Sequence, residues 1–434
     1  MVGKKLIEEI SYQKKEPDWM RKLRLKAWEI YEKKPLPNFG PDLRDLDLTK
    51  INYYQTPKTL PQSRWQDLPL DIRQTYEKLK IPEMEKKYLA GNLAQYESSA
   101  VYEKLKKTWE DKKVIFLDMD SALKKYPEEV KKYFMNLVSF DEHKFTALHT
   151  AFWSGGTFIY LPKDVCLCLP LQSYFRMQSA RLGQFEHTII VADRGSFVHY
   201  LEGCTAPQDS EFSLHVGVVE VYVGKQARVR FTTVQNWSKN IYNLATKRAL
   251  VGENGRIEWV SGSLGSKVTM LYPTSVLGEK GASSSHLSIS WAGKGQVKDT
   301  GGKVIHLAEN TSSTITAKSL SSGDGKNIFR GQIKVLSGAK NCRSFMRCDS
   351  LILDKTSEAE SFPSLDIKEK DVAVGHEATV GRISEEQLFY LQSRGISEKE
   401  ATNLIVAGFI EPIISEIPLE YSVELNRLIE MELN

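Results

Sequence analysis

The sequence contains little cysteine and no long apolar run. Its five cysteines are an odd number without zinc-ribbon spacing, so they do not indicate a disulfide framework. No apolar segment approaches the roughly 18 residues that a membrane-spanning helix needs. Charged residues at positions 4, 5, 8 and 9 argue against a secretory signal. We therefore expect a cytoplasmic protein with free thiols and no membrane partner.

A strong charge of one sign is also missing. Fifty-nine basic residues are balanced by 55 acidic ones, and the two kinds are well mixed. Because nucleic-acid-binding proteins concentrate basic residues in a stripe, nucleic acid is not expected as a partner. The sequence also lacks a Walker A loop, a G-x-S-x-G elbow, an H-E-x-x-H pair and a Rossmann glycine fingerprint. Any ATPase in its process must therefore be another chain.

What is present divides into three regions of different texture. Residues 1–144 are rich in charge and show helical apolar spacing from Trp19 to Tyr31, and a further helix is predicted over residues 98–109. Residues 145–383 consist of short β-type runs broken by glycine, asparagine, serine and proline, without a convincing amphipathic helix. Residues 384–434 are predicted to form a helical C-terminal domain.

The C-terminal domain carries clear helix boundaries. Ser384 and Ser397 each precede a glutamine or glutamate by three residues, which is the spacing of a capping box. Gly395 is predicted to end the first helix and Gly408 the second, and Pro418 to open a third with an apolar stripe. Either that stripe packs on the preceding helix, or the domain docks a partner.

The β-type region is long enough for a large sandwich, a barrel or a solenoid of stacked coils. In the run NTSSTITAKS at 310–319, small hydroxyl residues alternate with apolar ones. Such residues form ladders between neighbouring coils of a solenoid, but the same pattern fits an exposed antiparallel strand. The residues alone leave both interpretations open.

The cysteines are the first candidates for chemistry. Cys166 and Cys168 lie two apart in a strand-like run and are expected to be buried filler, and Cys342 lies in a turn-like basic segment. Cys204 follows a predicted strand, and Cys348 lies between two β-type runs. From the residues alone, a structural role for each of these two thiols is the more common case.

His376 and Glu377 form the second candidate, because imidazole and carboxylate groups bind iron or zinc. In a regular strand the two side chains face opposite sides, so they serve one metal only at a turn or bulge. Gly375 would allow such a bend, because glycine adopts backbone conformations that other residues rarely do. The alternative is a surface histidine with a structural role.

Stretches along nearly the whole chain match one known family. They are EPDWMRKLRLKA (16–27), AQYE (94–97), WSGG (153–156), LPLQ (169–172), GQFE (183–186), VHYLEGCTAP (198–207), QNW (235–237), GSKVT (265–269), CDS (348–350), HEAT (376–379), QLFY (387–390), SRG (393–395) and GFIEP (408–412). The chain resembles the SufB/SufD family, the scaffold subunits of the Suf iron–sulfur assembly system. Cys348, the HEAT segment and the GFIEP ending resemble the SufB branch more than the SufD branch.

The resemblance implies a mainly β protein whose core, residues 145–383, is a right-handed parallel β-helix. It implies a scaffold rather than an enzyme, paired with SufD or with a second SufB. SufC ATPases would dock on the C-terminal helices, and the cysteine desulfurase SufS would deliver sulfur with a SufE or SufU carrier. The cargo would be a transient iron–sulfur cluster, 4Fe–4S or 2Fe–2S. Whether reduced flavin (FAD) supplies electrons is left open.

The resemblance also assigns residues. Cys204 is similar to a sulfur-receiving thiol, and Arg176, Gln235 and Trp237 resemble the lining of a polar tunnel inside the β-helix. That tunnel leads toward Cys348, which together with His376 and Glu377 resembles the set of cluster ligands near the dimer interface.

The chain departs from the family pattern in three places. Gln178 stands where the family usually has asparagine, QVKD at 296–299 replaces QHQD, and Cys166 and Cys168 are extra.

Two other functions are the alternatives. A SufD-like partner that accepts no sulfur is the second interpretation. A β-helix carbohydrate-active enzyme is the third, but the paired carboxylates that it needs do not stand out.

Overall fold

The computed structural model describes residues 3–56, 61–78, 81–206, 211–415 and 429, apart from the Met84 side chain. Its helices are α1 (Lys4–Lys14), α2 (Asp18–Lys33), α3 (Leu70–Lys78), α4 (Ile81–Tyr88), α5 (Lys107–Glu110), α6 (Met119–Lys125), α7 (Pro127–Tyr133), α8 (Lys144–Phe152), α9 (Glu385–Ser393) and α10 (Glu398–Ile414). Between α8 and α9 the chain winds through about eight turns of a parallel β-helix.

Two sheets form the walls of this β-helix. Sheet 1 consists of β1 (Gly91–Tyr96), β2 (Ser99–Leu105), β5 (Leu171–Arg176), β8 (Phe197–Thr205), β11 (Arg228–Asn236), β13 (Arg256–Leu264), β16 (Ser283–Ala292), β18 (Ser312–Ser321), β20 (Cys342–Ile352) and β22 (Val372–Arg382). Sheet 2 consists of β3 (Ile115–Asp118), β4 (Gly156–Leu161), β6 (Gly183–Gln184), β7 (His187–Ala192), β9 (Ser213–His215), β10 (Val218–Val223), β12 (Ile241–Val251), β14 (Val268–Leu271), β15 (Thr274–Leu277), β17 (Val297–His306), β19 (Lys326–Val335) and β21 (Glu358–Ile367).

Stacking in register confirms the solenoid interpretation. From β5 to β22 the neighbouring strands of sheet 1 are parallel, and side chains at paired positions point the same way. The ladder predicted at 310–319 is present. The Ser313 and Ser344 hydroxyl oxygens are 2.6 Å apart, and the Ser319 hydroxyl donates to Ser350 at 2.8 Å. These bonds join consecutive coils.

The helix predicted over residues 98–109 is wrong. Residues Ser99–Leu105 form β2, which pairs antiparallel with β1, and only Lys107–Glu110 is helical. Tertiary pairing overrides local spacing here, since the first four residues of β2 are all buried. Through β1, which pairs in parallel with β5, sheet 1 reaches back to Gly91, N-terminal to the boundary predicted at residue 145.

Helix α8 is the element that the sequence did not reveal within the β-type region. Every residue from Phe145 to Phe152 is buried, so no polar face marks it as a helix.

Glu220 of β10 holds residues 135–138 against sheet 2. Its carboxylate accepts backbone N–H bonds from Met135, Leu137 and Val138 at 2.6 to 2.9 Å.

The predicted helix caps of the C-terminal region are confirmed, but the predicted end of the second helix is wrong. The Ser384 hydroxyl caps α9, Ser397 forms a full capping box with Glu400, and Gly395 has a φ of 84°. Helix α10 continues through Gly408 to Ile414, because packing outweighs the roughly 1 kcal/mol that an interior glycine costs. The helix predicted from Pro418 lies outside the described residues, apart from the buried Ile429.

Helix α10 packs on the outer face of sheet 1. Its buried residues Val406, Ile410 and Ile413 lie in one apolar cluster with outward-facing residues of five coils, namely Leu201, Val234, Val260, Ile289 and Leu320. Truncation before α9 would therefore expose part of the β-helix surface. In the described part of the chain, no helix is long and apolar enough to span a membrane.

Candidate functional site

Cys204 is fully buried at the end of β8, one residue before the strand ends. Parallel pairing places it between Phe175 of β5 and Gln235 of β11. Burial raises the pKa of its thiol well above the ordinary value, and the charges of Glu202 and Glu186 raise it further. The resting thiol is therefore protonated.

Two residues that neighbour this thiol carry buried N–H donors. Gln235 is the register partner of Cys204, and Trp237 belongs to the same apolar cluster as the thiol. Gln235 Nε2 and Trp237 Nε1 have no hydrogen-bond partner among the described residues. Because buried donors without a partner cost free energy, both N–H groups are available to bind an acceptor.

Arg176 does not share this interior. It follows Phe175, the register partner of Cys204, so its side chain faces the opposite side of sheet 1. The guanidinium donates to the Thr205 hydroxyl at 3.0 Å and to Gln178 Oε1 at 3.1 Å. Arg176 is partly exposed and Gln178 is exposed. The expectation that Arg176 lines an internal tunnel is therefore wrong for this chain.

A row of polar side chains leads from Cys204 along the inner face of sheet 1. In register, one residue per coil, the row consists of Gln235, Ser263, Ser290, Ser319 and Ser350. Its last hydroxyl lies beside Cys348, whose Sγ is 3.9 Å from the oxygen of Ser350. We call this the sheet 1 row. It connects the surroundings of the two candidate thiols.

A second row faces it from sheet 2. Its members, again in register, are His215, Asn243, Thr269, Lys298 and Asn327. Two hydrogen bonds cross the interior between the rows. Asn243 Nδ2 donates to Gln235 Oε1 at 2.7 Å, and the Ser290 hydroxyl donates to Asn327 Oδ1 at 2.8 Å. This sheet 2 row could not be predicted from the sequence, because the alignment of its residues becomes visible only when the strands are paired.

Cys348 lies on the inner face of β20 and is 1% exposed. Burial raises the pKa of its thiol to about 11, so this thiol is also protonated at rest. Its register partner on the next strand is Ala378 of β22. The thiol is thus flanked by the methyl group of Ala378 and the hydroxyl group of Ser350.

His376 and Glu377 lie on β22, the last strand of sheet 1. This strand pairs with β20 without a bulge, so the bend expected at Gly375 is absent. His376 pairs with Met346 and shares the inner face with Cys348, whereas Glu377 pairs with Arg347 on the other face. Within the described residues, no three histidine, cysteine or acidic side chains are close enough to hold a metal ion.

The end of the β-helix is apolar, and the described residues leave it uncovered. Strands β21 and β22 are the terminal strands of their sheets. Large side chains there are 38% to 47% exposed: Phe345, Phe362, Leu365, Ile367 and Val380. Edge strands with exposed apolar side chains are sites where another chain pairs.

The remaining cysteines lie apart from the rows. Cys166 and Cys168 are exposed, so the prediction that they are buried filler is wrong, and only the intervening Leu167 points into the core. Cys342 is buried at the start of β20 rather than in a turn. Its sulfur lies 3.0 Å from the hydroxyl of Thr311.

Comparisons with known proteins agree with this architecture. The family described as the SufBD protein N-terminal region matches residues 7–173, and the SufBD core domain of the SUF system for FeS cluster assembly matches residues 175–409. A protein of Staphylococcus saprophyticus described as an iron–sulfur cluster assembly SufBD family protein is 53% identical over 428 residues, 99% of this chain and 92% of the relative. A Staphylococcus aureus protein of the same description is 52% identical over the same length. The chain belongs to the SufB/SufD family of iron–sulfur cluster assembly proteins.

Proposed function

We propose that this protein is a SufB-type scaffold on which sulfur enters at Cys204 and a cluster is assembled at Cys348. The observation that carries the proposal is the sheet 1 row, which joins the two thiols by five in-register polar side chains. A β-helix interior is normally filled by apolar side chains, so a continuous polar row costs stability and calls for a functional reason.

Sulfur would enter by persulfide exchange. Net, the Cys204 thiol and a donor persulfide anion give a Cys204 persulfide anion and the donor thiol, with the Cys204 proton ending on the donor. The donor's sulfur–sulfur bond breaks as the new one forms. The N–H groups of Gln235 and Trp237 would then bind the anionic terminal sulfur. The donor in this proposal is SufS acting with SufE or SufU.

Cluster assembly would take place at the open end of the β-helix. Iron–sulfur clusters need thiolate ligands, and histidine replaces cysteine at some sites. Cys348 and His376 share the inner face, but two ligands do not complete a cluster site. The uncovered end strands would therefore pair with SufD or a second copy of this chain, which supplies further ligands. The carboxylate of Glu377, on the other face, would interact with that partner.

The C-terminal helices are the proposed dock for a SufC ATPase. Helix α9 has no buried residue, and Phe389 and Tyr390 on it are 72% and 57% exposed. Leu404 of α10 is 54% exposed. In contrast, the opposite side of α10 is buried on sheet 1, so a force on this dock would be transmitted directly to the β-helix.

The second candidate is a SufD-like partner that holds SufC without accepting sulfur. The high pKa values of the two buried thiols favour it, because a protonated thiol is a poor nucleophile and a poor ligand. On that interpretation, both thiols are core residues.

Four substitutions in the complex with its Suf partners distinguish the candidates. Cys204→Ala should lose persulfide loading from SufS, yet still form a cluster when iron and sulfide are supplied chemically. Cys348→Ala should fail in both assays, and His376→Ala should form a weaker cluster. Cys342→Ala is the matched control, since this buried thiol lies on the same strand as Cys348 but away from the rows.

The readouts are the persulfide content and the visible absorption of the reconstituted cluster under anaerobic conditions. Circular dichroism checks that each variant is folded. If complexes that contain folded Cys204→Ala or Cys348→Ala load sulfur and form a cluster as well as the complex with Cys342→Ala, the thiols of the partner chains do this work. The scaffold proposal is then refuted in favour of the SufD-like function.

A further inference from the structure

A hydrogen-bonded chain connects a buried ion pair to the amide beside Cys204. Glu186 bonds to Nε2 of His215, and Nδ1 of the same ring lies 2.7 Å from Asn243 Oδ1. Asn243 Nδ2 donates to Gln235 Oε1 at 2.7 Å. The chain ends at Gln235 Nε2, which has no partner among the described residues. Each of the four residues is at most 3% exposed.

The direction of each bond in this chain is fixed by the proton on the histidine ring. With both ring nitrogens protonated, His215 donates to Glu186 and to Asn243 Oδ1. The Asn243 amide group must then give its NH₂ to Gln235 Oε1, which leaves the NH₂ of Gln235, the register partner of Cys204, without a partner among the described residues. Although burial opposes the charge, Glu186 and Asn243 raise the pKa of His215 above its ordinary value, in agreement with this state.

Loss of that proton would reverse the chain. A neutral His215 that still donates to Glu186 presents a lone pair at Nδ1, which accepts a bond from the Asn243 NH₂. The Asn243 oxygen then faces Gln235, whose amide turns so that its NH₂ donates to Asn243. The oxygen of Gln235 now faces Cys204. An oxygen beside a persulfide anion repels it, whereas an N–H binds it.

We propose that Glu186, His215 and Asn243 are positioning residues that set which end of the Gln235 amide faces Cys204, and so whether Cys204 holds a persulfide. This inference rests on the proposed function of Cys204 as a sulfur receiver. It adds that the protonation of His215 controls retention of the sulfur. The other charged or titratable groups around His215 are Glu202, which favours the charged ring, and His149. Lys247 acts on the thiol of Cys204 itself.

Substitutions at Asn243 test the relay, because they separate the direction of the bonds from packing. Asn243→Asp has almost the same size but offers only acceptors, so it draws the NH₂ of Gln235 away from Cys204. Asn243→Ala removes the bond and leaves the Gln235 amide free to turn. We expect the persulfide at Cys204 to be about tenfold shorter-lived in Asn243→Asp than in the parent, with Asn243→Ala between them. A purely structural role predicts that alanine is the worse substitution.

The probe is inorganic trisulfide, used on the whole chain. The Cys204 thiol and trisulfide give a Cys204 persulfide anion and hydrogen disulfide, which carries the proton away. After removal of excess reagent, decay is followed by alkylation and peptide mass spectrometry. The exposed Cys166 and Cys168 report in the same samples and correct for the pH dependence of polysulfide itself. Asn254→Asp, an exposed amide in a turn, is the control for added charge.

The pH dependence of the parent protein provides a second measurement. In the parent protein, the lifetime at Cys204 relative to that at Cys166 and Cys168 should fall as pH rises through the raised pKa of His215, and this fall should be absent in Asn243→Asp. A flat pH profile in the parent, or equal lifetimes in Asn243→Asp and the parent, would overturn the relay. Failure of the parent to carry any persulfide at Cys204 would instead refute the proposed function.

Discussion

Replacing Lys247 by methionine is expected to destabilise the β-helix, because it leaves a carboxylate alone in the interior. Lys247 Nζ lies 2.6 Å from Glu202 Oε1, and the two side chains are 2% and 4% exposed. The lysine is on β12 and the glutamate on β8, so the pair joins the two sheets across the core. The Thr233 hydroxyl also donates to this carboxylate, at 3.0 Å.

The size of the effect follows from two opposing terms. Attraction between unit charges 2.6 Å apart is about 6 kcal/mol at an effective dielectric constant of about 20. Burial of each ion costs several kcal/mol, so the intact pair adds little net stability. Removing one partner leaves the cost of the other, about 3–5 kcal/mol. The double variant Glu202→Gln/Lys247→Met carries neither charge and should recover most of that loss.

Urea unfolding followed by tryptophan fluorescence measures both effects. Lys225→Met is the matched control. Lys225 Nζ lies at a similar distance, 2.7 Å, from Glu253 Oε2, but this pair is exposed. It should cost less than about 1 kcal/mol. Two outcomes would contradict this expectation: a Lys247→Met variant that loses no more stability than the control, or a double variant that is as unstable as the single one.

Three further predictions follow from other parts of the structure. Burial lowers the pKa of His286 to about 3 and that of His306 to about 4, so both are neutral in the fold. Since the unfolded chain binds these protons below about pH 6.5, stability should fall as pH decreases from 7.5 to 5.5, measured as urea midpoints. Phe389→Ala/Tyr390→Ala should abolish co-purification of SufC without changing the melting temperature. Tyr12→Ala, which removes a still more exposed aromatic side chain near the other end of the chain, should leave co-purification unchanged. Iodoacetamide should modify Cys166 and Cys168 in native protein before Cys204, Cys342 and Cys348; equal rates by peptide mass spectrometry would contradict the burial described.

The repetitive part of the fold could be predicted because each coil repeats one local rule. The alternation of hydroxyl and apolar side chains at 310–319 matches the inner face of β18, and Ser313 and Ser319 bond to the coil that follows. Buried stretches without alternation gave no such signal. Helix α8 has no polar face, and the first four residues of β2 are all buried, so neither stretch shows the alternation of its element.

The site was predictable as a list of residues but not as an arrangement. Whether a side chain enters the interior depends on the parity of its position in the strand. That parity places Gln235 inside and Arg176 outside, and it separates His376 from Glu377. His215 and Asn243 gave no signal at all, because their importance depends on which strand of sheet 2 faces Cys204.

The sheet 1 row also fixes a distance. From Cys204 to Ser350 the chain makes five strand-to-strand steps, which at about 4.8 Å each span about 24 Å. Neither a serine hydroxyl nor a glutamine amide forms a persulfide, so sulfur cannot pass along the row by stepwise covalent transfer between its side chains. Sulfur that follows it must move as a small free species. Because every coil adds one side chain to the row, gain or loss of a whole coil would lengthen or shorten this path by one step while keeping its chemistry.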